Sequence, residues 1–230
     1  IVGCQGKSWL GTEAPPGVGE AKVGDAKAET TEKEDVPVSE LLKRPWKPRT
    51  PEQIRAEGNF LKDSTSSYLK AHANNPMEWY GWCPEAIERA AKEDKPIFLS
   101  VGYASCHWCD IMEDEVFSDD ETARLMNEYF VNIKVDREER PDIDAIYMDA
   151  VLKMNKGQGG WPMNVVMTPH LKPFFGGTYF PKARFYGLMQ ASAKRFRDDR
   201  KLVEAKSEEV TAEINQSIQG NPALVFNERA

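Results

Sequence analysis

The chain has 230 residues, of which 40% are hydrophobic and 29% charged, and its 30 Lys and Arg against 37 Asp and Glu give a formal net charge of −7. It has no basic stripe and no aromatic residues interleaved with positive charge, so the electrostatic basis for binding nucleic acid or an anionic membrane is missing. Because no run reaches the roughly 18 to 20 apolar residues that cross a bilayer, no transmembrane segment is predicted.

Residues 1–49 form the first predicted segment, an extended tail of low complexity. Gly, Pro, Ala, Glu, Lys and Thr dominate it, and its isolated apolar residues bury too little surface to fold. One hypothesis is that a larger assembly holds this tail, with Trp9 and Trp46 as candidate anchors. The chain starts at Ile1 rather than Met, which leaves two localisations open: an organelle (chloroplast or mitochondrion) after removal of a transit peptide, or the cytoplasm.

The ordered region is predicted to begin near Thr50, which caps a helix with Pro51 at its first position and Gln53 completing a capping box. Hydrophobic periodicity then predicts alternating helices and strands. In chain order these are a helical turn and an aromatic loop within 67–82, a helix at 84–94, a strand at 97–103, an interrupted helix reaching 129, a strand at 131–135, a helix at 142–154, hairpin strands at 163–167 and 174–180, and a helix at 185–218. Ser118 and Glu121 are the predicted capping box where the interrupted helix restarts.

This element order determines the predicted fold class. Two strands joined through a helix make a right-handed parallel unit, and the hairpin adds antiparallel strands. The result is the thioredoxin arrangement, so we predict an α/β, thioredoxin-like fold with a central mixed sheet flanked by helices. The predicted parts are the tail (1–49), a thioredoxin-like domain (50–187) and a C-terminal helical extension (188–230).

The run Cys106-His107-Trp108-Cys109 lies between a predicted strand and a predicted helix. A cysteine at a helix N-terminus lies beside unpaired N–H groups and the positive end of the helix dipole, which favour its thiolate. Cys106 is therefore the predicted attacking thiol, and Cys109, one turn further in and less exposed, is the predicted resolving thiol. A protonated His107 would favour the thiolate further, whereas Asp110 opposes it.

Two other interpretations of the cysteine spacing stay open: half of a zinc site, or two buried small hydrophobes in a fold without redox chemistry. Zinc is poorly supported because no second Cys/His pair has ligand spacing, and the histidines are only His72, His107 and His170. A covalent haem would need a histidine at Asp110. We predict no metal site and no cofactor.

Pro162 directly precedes the first hairpin strand. In thioredoxin-like domains the proline at this position is cis, lies beside the cysteine pair and adjoins backbone that pairs with extended substrate. We therefore expect a cis Trp161-Pro162 bond. Trp108 and Trp161 either form an apolar rim that faces substrate or simply pack on the domain. The charged run 136–142 is either a functional loop near the cysteines or a solvated connection between strand and helix, and its charge pattern favours the second interpretation.

Seven short motifs lie between residues 72 and 181. They are HANNP (72–76), WY (79–80), KPIFLS (95–100), CHWC (106–109), KVDREERPD (134–142), GQGGWP (157–162) and FFGGTYFP (174–181). Together they resemble the thioredoxin-like domain of the spermatogenesis-associated protein 20 family, over about residues 59 to 187. The resemblance implies a thioredoxin fold with a thiol-disulfide role, and full-length members continue into a large helical toroid.

Three positions depart from the related patterns. Asp110 stands where the family usually has a histidine, and Cys83 where a small residue such as Gly is usual. Compared with thioredoxins, Ser100 replaces the buried acid six residues before the first cysteine. The resolving thiol therefore lacks its general base, and reduction of substrate by Cys109 should be slower unless Asp110 or a water substitutes.

Two hypotheses of function follow. The first is a thiol-disulfide oxidoreductase that acts on protein thiols or disulfides, with Cys106 and Cys109 as catalytic residues. The second is a non-catalytic thioredoxin-like structural or accessory subunit of a larger protein assembly, held through the N-terminal tail. The predicted redox-tuning or substrate-facing residues are His107, Trp108, Asp110, Trp161 and Pro162.

Overall fold

A computed structural model describes residues 48–219; the tail up to residue 47, with Trp9 and Trp46, lies outside this range. Within it, the strands are β1 (Trp79–Tyr80), β2 (Ile97–Gly102), β3 (Val131–Asp136), β4 (Met163–Met167) and β5 (Pro173–Gly177). These described strands form one sheet in the order β1-β3-β2-β4-β5. Strands β1 and β2 run parallel to β3, whereas β4 is antiparallel to β2 and β5. The mixed sheet of a thioredoxin-like fold is thus confirmed.

The helices of the same region are α1 (Pro51–Glu57), α2 (Ser67–Ala71), α3 (Pro84–Glu93), α4 (His107–Met112), α5 (Asp120–Tyr129), α6 (Pro141–Met154), α7 (Lys182–Asp198) and α8 (Arg200–Gln219). A 3-10 turn, His72–Asn74, follows α2, and a π turn, Glu113–Phe117, follows α4. The capping box of Thr50 and Gln53 is confirmed at the start of α1. It satisfies backbone N–H groups that the first turn leaves without partners.

Strand β2 divides the interior into two cores. Because side chains alternate across a strand, Ile97, Leu99 and Val101 pack on one face with α3 and α6. Phe98 points to the other face, which also holds the cysteine pair and apolar residues of α2, α4, α5 and α7. The ring of Phe98 lies 5.4 Å from that of Phe185 and 6.3 Å from that of Phe117. The site described below is built on this second face.

Two predictions in the first half of the domain are wrong. The predicted aromatic loop contains a strand, because Trp79 and Tyr80 pair with Asn132 and Ile133 of β3. A two-residue strand is too short to show alternation, so its pairing comes from tertiary structure. Helix α5 is capped by Asp119, whose carboxylate accepts the Thr122 N–H at 2.8 Å, and not by Ser118.

Two predictions in the second half are also corrected. The second hairpin strand ends at Gly177 instead of continuing to Phe180, whose ring folds against Gly177 and occupies the space of a β carbon. The single predicted C-terminal helix is two helices, because Asp199 is non-helical and its carbonyl accepts the first N–H groups of α8. Helix α7 runs through residue 187, and its buried Phe185 and Met189 share one core. The domain limits stay a prediction.

Truncation of Phe98 should test the importance of the core behind the site. We expect Phe98→Ala to lower the free energy of unfolding by about 3 to 5 kcal/mol, because a fully buried ring is lost and a cavity remains. Chemical denaturation measures this change. The matched control Leu202→Ala, at an exposed position, should stay within about 0.5 kcal/mol of the wild type. Similar losses in both variants would contradict the assigned core.

Candidate active site

The two cysteines of the motif form a disulfide, with their Cα atoms 5.2 Å apart. Strand β2 ends at Gly102, a short turn follows, and Cys106 is the N-cap residue of α4. The Cys106 carbonyl accepts the N–H groups of Cys109 at 2.9 Å and Asp110 at 3.1 Å. Both cysteines are buried, with exposed fractions of 4% for Cys106 and 2% for Cys109. The local fold therefore holds the two sulfur atoms together at the end of the central strand.

The surroundings of the two cysteines differ. Ser105 and His107 flank Cys106 and are exposed. Cys109 faces the sheet, because a β carbon built on Gly102 would lie 2.8 Å from its Sγ atom. The sequence neighbours of Cys106 are therefore open to solvent, while the Cys109 sulfur is backed by β2.

Pro162 lies at the same end of the sheet as the cysteine pair. The Trp161-Pro162 bond is cis, as predicted. The next residue, Met163, pairs with Val101 of β2, whose following residue is Gly102. Pro162 is buried and Trp161 is half-buried. The cis proline therefore lies beside the segment that connects β2 to the cysteine pair.

Trp108 is the most prominent apolar group on the surface near the disulfide. Its side chain is 51% exposed. Its ring centroid lies 5.0 Å from that of Tyr179 and 5.7 Å from that of His107. Tyr179 Oη donates a hydrogen bond of 2.8 Å to the Glu115 carboxylate, which fixes one side of this group.

Trp161 belongs to a separate group that includes part of the charged run. The Arg137 guanidinium lies 3.8 Å from the Trp161 ring centroid. Buried Asp144 joins the two, accepting from Trp161 Nε1 at 2.7 Å and from Arg137 Nε at 3.0 Å. The interpretation of run 136–142 as a solvated connection is wrong for Asp136, which is buried and accepts from Ser66 Oγ at 2.6 Å.

A lysine that the sequence analysis did not single out lies in the core on the disulfide's face of the sheet. Lys134 of β3 pairs in register with Ser100 of β2, and both are buried. The Lys134 Nζ atom lies 3.4 Å from Ser100 Oγ. It also lies 4.7, 5.0 and 5.2 Å from the ring centroids of Phe117, Trp79 and Tyr68. Burial lowers the pKa of Lys134 to about 7, and the Glu113 carboxylate opposes this shift.

Glu113 connects this lysine to a second buried group. His72 Nδ1 lies 3.3 Å from Glu113 Oε1 and 2.9 Å from Asn75 Oδ1, and Asn75 Nδ2 donates to the same Glu113 oxygen at 3.1 Å. Burial lowers the pKa of His72. For Glu113, burial alone would raise the pKa, but hydrogen bonds from His72 and Asn75 outweigh it and hold the pKa below its usual value. These contacts attach the π turn after the cysteines to the turn after α2.

The remaining predicted residues lie apart from this buried group. Asp110 is exposed on the first turn of α4. Cys83 lies at the N-cap of α3 and packs in the other core, on the opposite face of the sheet. Among the described residues, no group of three or more His, Cys, Asp or Glu side chains could hold a metal ion. No helix in the described range is long and apolar enough to cross a membrane.

Comparison with known proteins finds relatives of this chain. A protein-family model named Thioredox_DsbH and described as "Protein of unknown function, DUF255" matches residues 58–215. "Spermatogenesis-associated protein 20" of Homo sapiens is 56% identical over 132 residues, which are 57% of this chain and 16% of the human protein. The Mus musculus protein of that name is 58% identical over 123 residues, 54% of this chain and 15% of its own length. The chain thus spans under a fifth of these curated relatives.

Two solved structures are also similar. A structure called "DsbH Oxidoreductase" has 19% sequence identity and a TM-score of 0.41, covering 51% of this chain and 85% of its own. A thioredoxin from Thermus thermophilus has 20% identity and a TM-score of 0.41, covering 52% of this chain and 88% of its own.

The burial of Lys134 predicts a specific pH dependence of stability. Its pKa falls from 10.5 to about 7 on folding, so the unfolded chain binds the extra proton between these values and stability rises with pH across this window. We expect the wild type to gain about 5 kcal/mol there, and Lys134→Met to lose this gain. Denaturant unfolding across the window measures it.

The matched control for this prediction is Lys70→Met, which removes an exposed lysine of α2. This variant should keep the wild-type rise of stability with pH. Parallel stability curves for the wild type and Lys134→Met would contradict the predicted role of the buried charge.

Proposed function

Because the chain belongs to the Thioredox_DsbH family, which agrees with the resemblance seen in its motifs, we propose that it is a thiol-disulfide oxidoreductase acting on protein thiols. The observation that carries the proposal is the Cys106–Cys109 disulfide at the junction of β2 and α4. The chain spans only a small part of its long relatives, so any activity of those whole proteins is a separate question.

The proposed reaction is a two-step exchange. A substrate thiolate attacks Cys106 Sγ, the Cys106–Cys109 bond breaks, and its electron pair leaves on Cys109 as a thiolate. A second substrate thiolate then attacks the substrate sulfur bound to Cys106, which releases Cys106 as a thiolate. The substrate gains a disulfide, and the cysteine pair is reduced by two electrons. The reverse sequence reduces a substrate disulfide, and the redox partner decides the direction.

Cys106 is the proposed attacking thiol and Cys109 the proposed resolving thiol. Cys106 has exposed neighbours and caps α4, and N–H groups at a helix start favour a thiolate. Cys109 lies against the β2 backbone at Gly102, so it reacts with the sulfur already bound to Cys106. Exposed His107 and Asp110 are the proposed tuning residues, since a nearby positive charge favours the thiolate and a negative charge opposes it.

The substrate is proposed to be an extended polypeptide segment with apolar or aromatic side chains near its cysteine. The half-exposed Trp108 ring and its neighbour Tyr179 offer the apolar contact. Trp161, whose orientation is fixed by Asp144, and the cis bond to Pro162 lie at the same end of the sheet. Aromatic contacts of this kind add binding energy without needing a deep pocket.

Trapping of a mixed disulfide tests the proposed exchange directly. The reduced Cys109→Ser variant should form a stable adduct between Cys106 and a synthetic peptide that carries an intramolecular disulfide, because no resolving thiol remains. Mass spectrometry of the alkylated, non-reduced protein measures the adduct. Cys106→Ser, as the matched control, should give at least about tenfold less adduct. Equal or absent trapping would instead favour the non-catalytic, structural or accessory role in a larger assembly.

Truncation of the exposed ring tests the substrate surface. We expect Trp108→Ala to slow exchange with the aromatic peptide several-fold while the rate with dithiothreitol stays unchanged, because the small thiol does not need the ring. Stopped-flow fluorescence or mass spectrometry with time-resolved quenching measures both rates. The folded state should be unaffected, since the side chain is half-exposed. An equal loss with both thiols would contradict a role in peptide binding.

A further inference from the structure

Tyr68 of α2 carries a buried hydroxyl group for which the structure offers no partner. The side chain packs in the same core as both cysteines. Among the described residues, no atom makes a hydrogen bond with Tyr68 Oη. Buried hydroxyl groups are nearly always paired, because leaving one unsatisfied is unfavourable. This unpaired donor therefore needs an explanation.

The Tyr68 hydroxyl and the Cys109 sulfur border the same small space above Gly102. A β carbon built on Gly102 would lie 2.2 Å from Tyr68 Oη and 2.8 Å from Cys109 Sγ. Glycine at this position lets both groups lie directly against the β2 backbone. In the oxidised state Cys109 Sγ is bonded to Cys106, and a disulfide sulfur is a poor hydrogen-bond acceptor. A thiolate at the same place is a strong one.

We propose that Tyr68 is a positioning residue for the resolving thiol, whose hydroxyl donates a hydrogen bond to the Cys109 thiolate when the Cys106–Cys109 disulfide opens. This inference rests on the exchange proposed above. A substrate thiolate bonds to Cys106 Sγ, the bond between the two cysteines breaks, and its electron pair stays on Cys109. Tyr68 keeps its proton throughout, so the thiolate is held by a hydrogen bond and needs no general base at Ser100.

The charges around Tyr68 keep its hydroxyl protonated. Burial raises the pKa of Tyr68 well above its usual value, and the carboxylates of Glu113, Asp136 and Asp110 raise it further. The charged and titratable groups that face the ring from its packing neighbours are His72 of the turn after α2, Asp110 of α4, Glu113 of the π turn, and Lys134 and Asp136 of β3. Of these, the Lys134 ammonium favours a thiolate, whereas the carboxylates oppose it.

The position of Tyr68 is fixed by the start of its helix. Ser66 Oγ accepts the Leu69 N–H at 3.1 Å as the N-cap of α2, and it donates to Asp136 Oδ2 at 2.6 Å. Asp136 is the last residue of β3. The N-terminus of helix α2 is thereby attached to the end of β3. This contact fixes the direction of the Tyr68 side chain, so its hydroxyl is preorganised toward Gly102.

The test is the pKa of the Cys109 thiol in a Cys106→Ser background, read from the ¹³Cβ chemical shift of Cys109 as pH is varied. Tyr68→Phe removes the hydroxyl but keeps the ring. We expect it to raise the Cys109 pKa by about one unit, a roughly tenfold loss of thiolate at pH values below the pKa. An unchanged or lower pKa would overturn the proposal.

Tyr147→Phe is the matched control. Tyr147 is also buried, but it lies in the other core, and its hydroxyl donates to the Leu171 carbonyl at 3.1 Å. Its removal should leave the Cys109 pKa unchanged, and an equal shift in both variants would overturn the proposal.

The titration and the adduct trapping test different claims. Since the titration uses no substrate, it tests the role of Tyr68 even if the pair does not exchange with proteins. Adduct trapping by Cys109→Ser tests the exchange independently of Tyr68.

Discussion

Strand β2 lies between β3 and β4, and all six of its residues are buried. Alternation along the strand sends Ile97, Leu99 and Val101 to one core, and Phe98, Ser100 and Gly102 to the other. The polar groups and the cysteine pair on the second face are therefore shielded from bulk water. The disulfide lies at the end of this strand, so its inner sulfur faces Gly102 instead of solvent.

Burial of polar groups on this face lowers stability. Lys134 lies near three aromatic rings and the Ser100 hydroxyl, and its pKa is lowered to about 7 because its charged form is poorly solvated there. A core made for stability alone would place apolar side chains at this position and would pair the hydroxyl of Tyr68. The unpaired Tyr68 hydroxyl and the poorly solvated Lys134 ammonium both favour a negative charge nearby. In the proposed exchange, the Cys109 thiolate supplies this charge when the disulfide opens.

Local signals were sufficient to predict the thioredoxin-like fold, most of its helices and strands, and the position of the cysteine pair, whereas the cis Trp161-Pro162 bond was expected only from the resemblance to thioredoxin-like domains. They were insufficient for Lys134, because the pattern Val-Asn-Ile-Lys-Val-Asp of β3 is typical of a strand with one solvent-exposed face. Both faces of β3 are buried, since α2 and the π turn cover the polar side. The contacts between Lys134 and Ser100, 34 residues apart, and between Trp161 and Asp144, 17 residues apart, depend on strand register and packing that no local motif encodes.

The chemistry proposed for the site requires that Cys106 and Cys109 exchange electrons reversibly. The most direct measurement equilibrates the full chain in dithiothreitol or glutathione buffers of graded potential, and counts the free thiols of both cysteines by mass-tagging of their peptides. We predict one two-electron transition, with a slope of about 30 mV per tenfold change in the ratio of oxidised to reduced pair. The midpoint should be the same from the oxidised and the reduced protein. A pair that stays oxidised or reduced across the whole range would contradict a redox function.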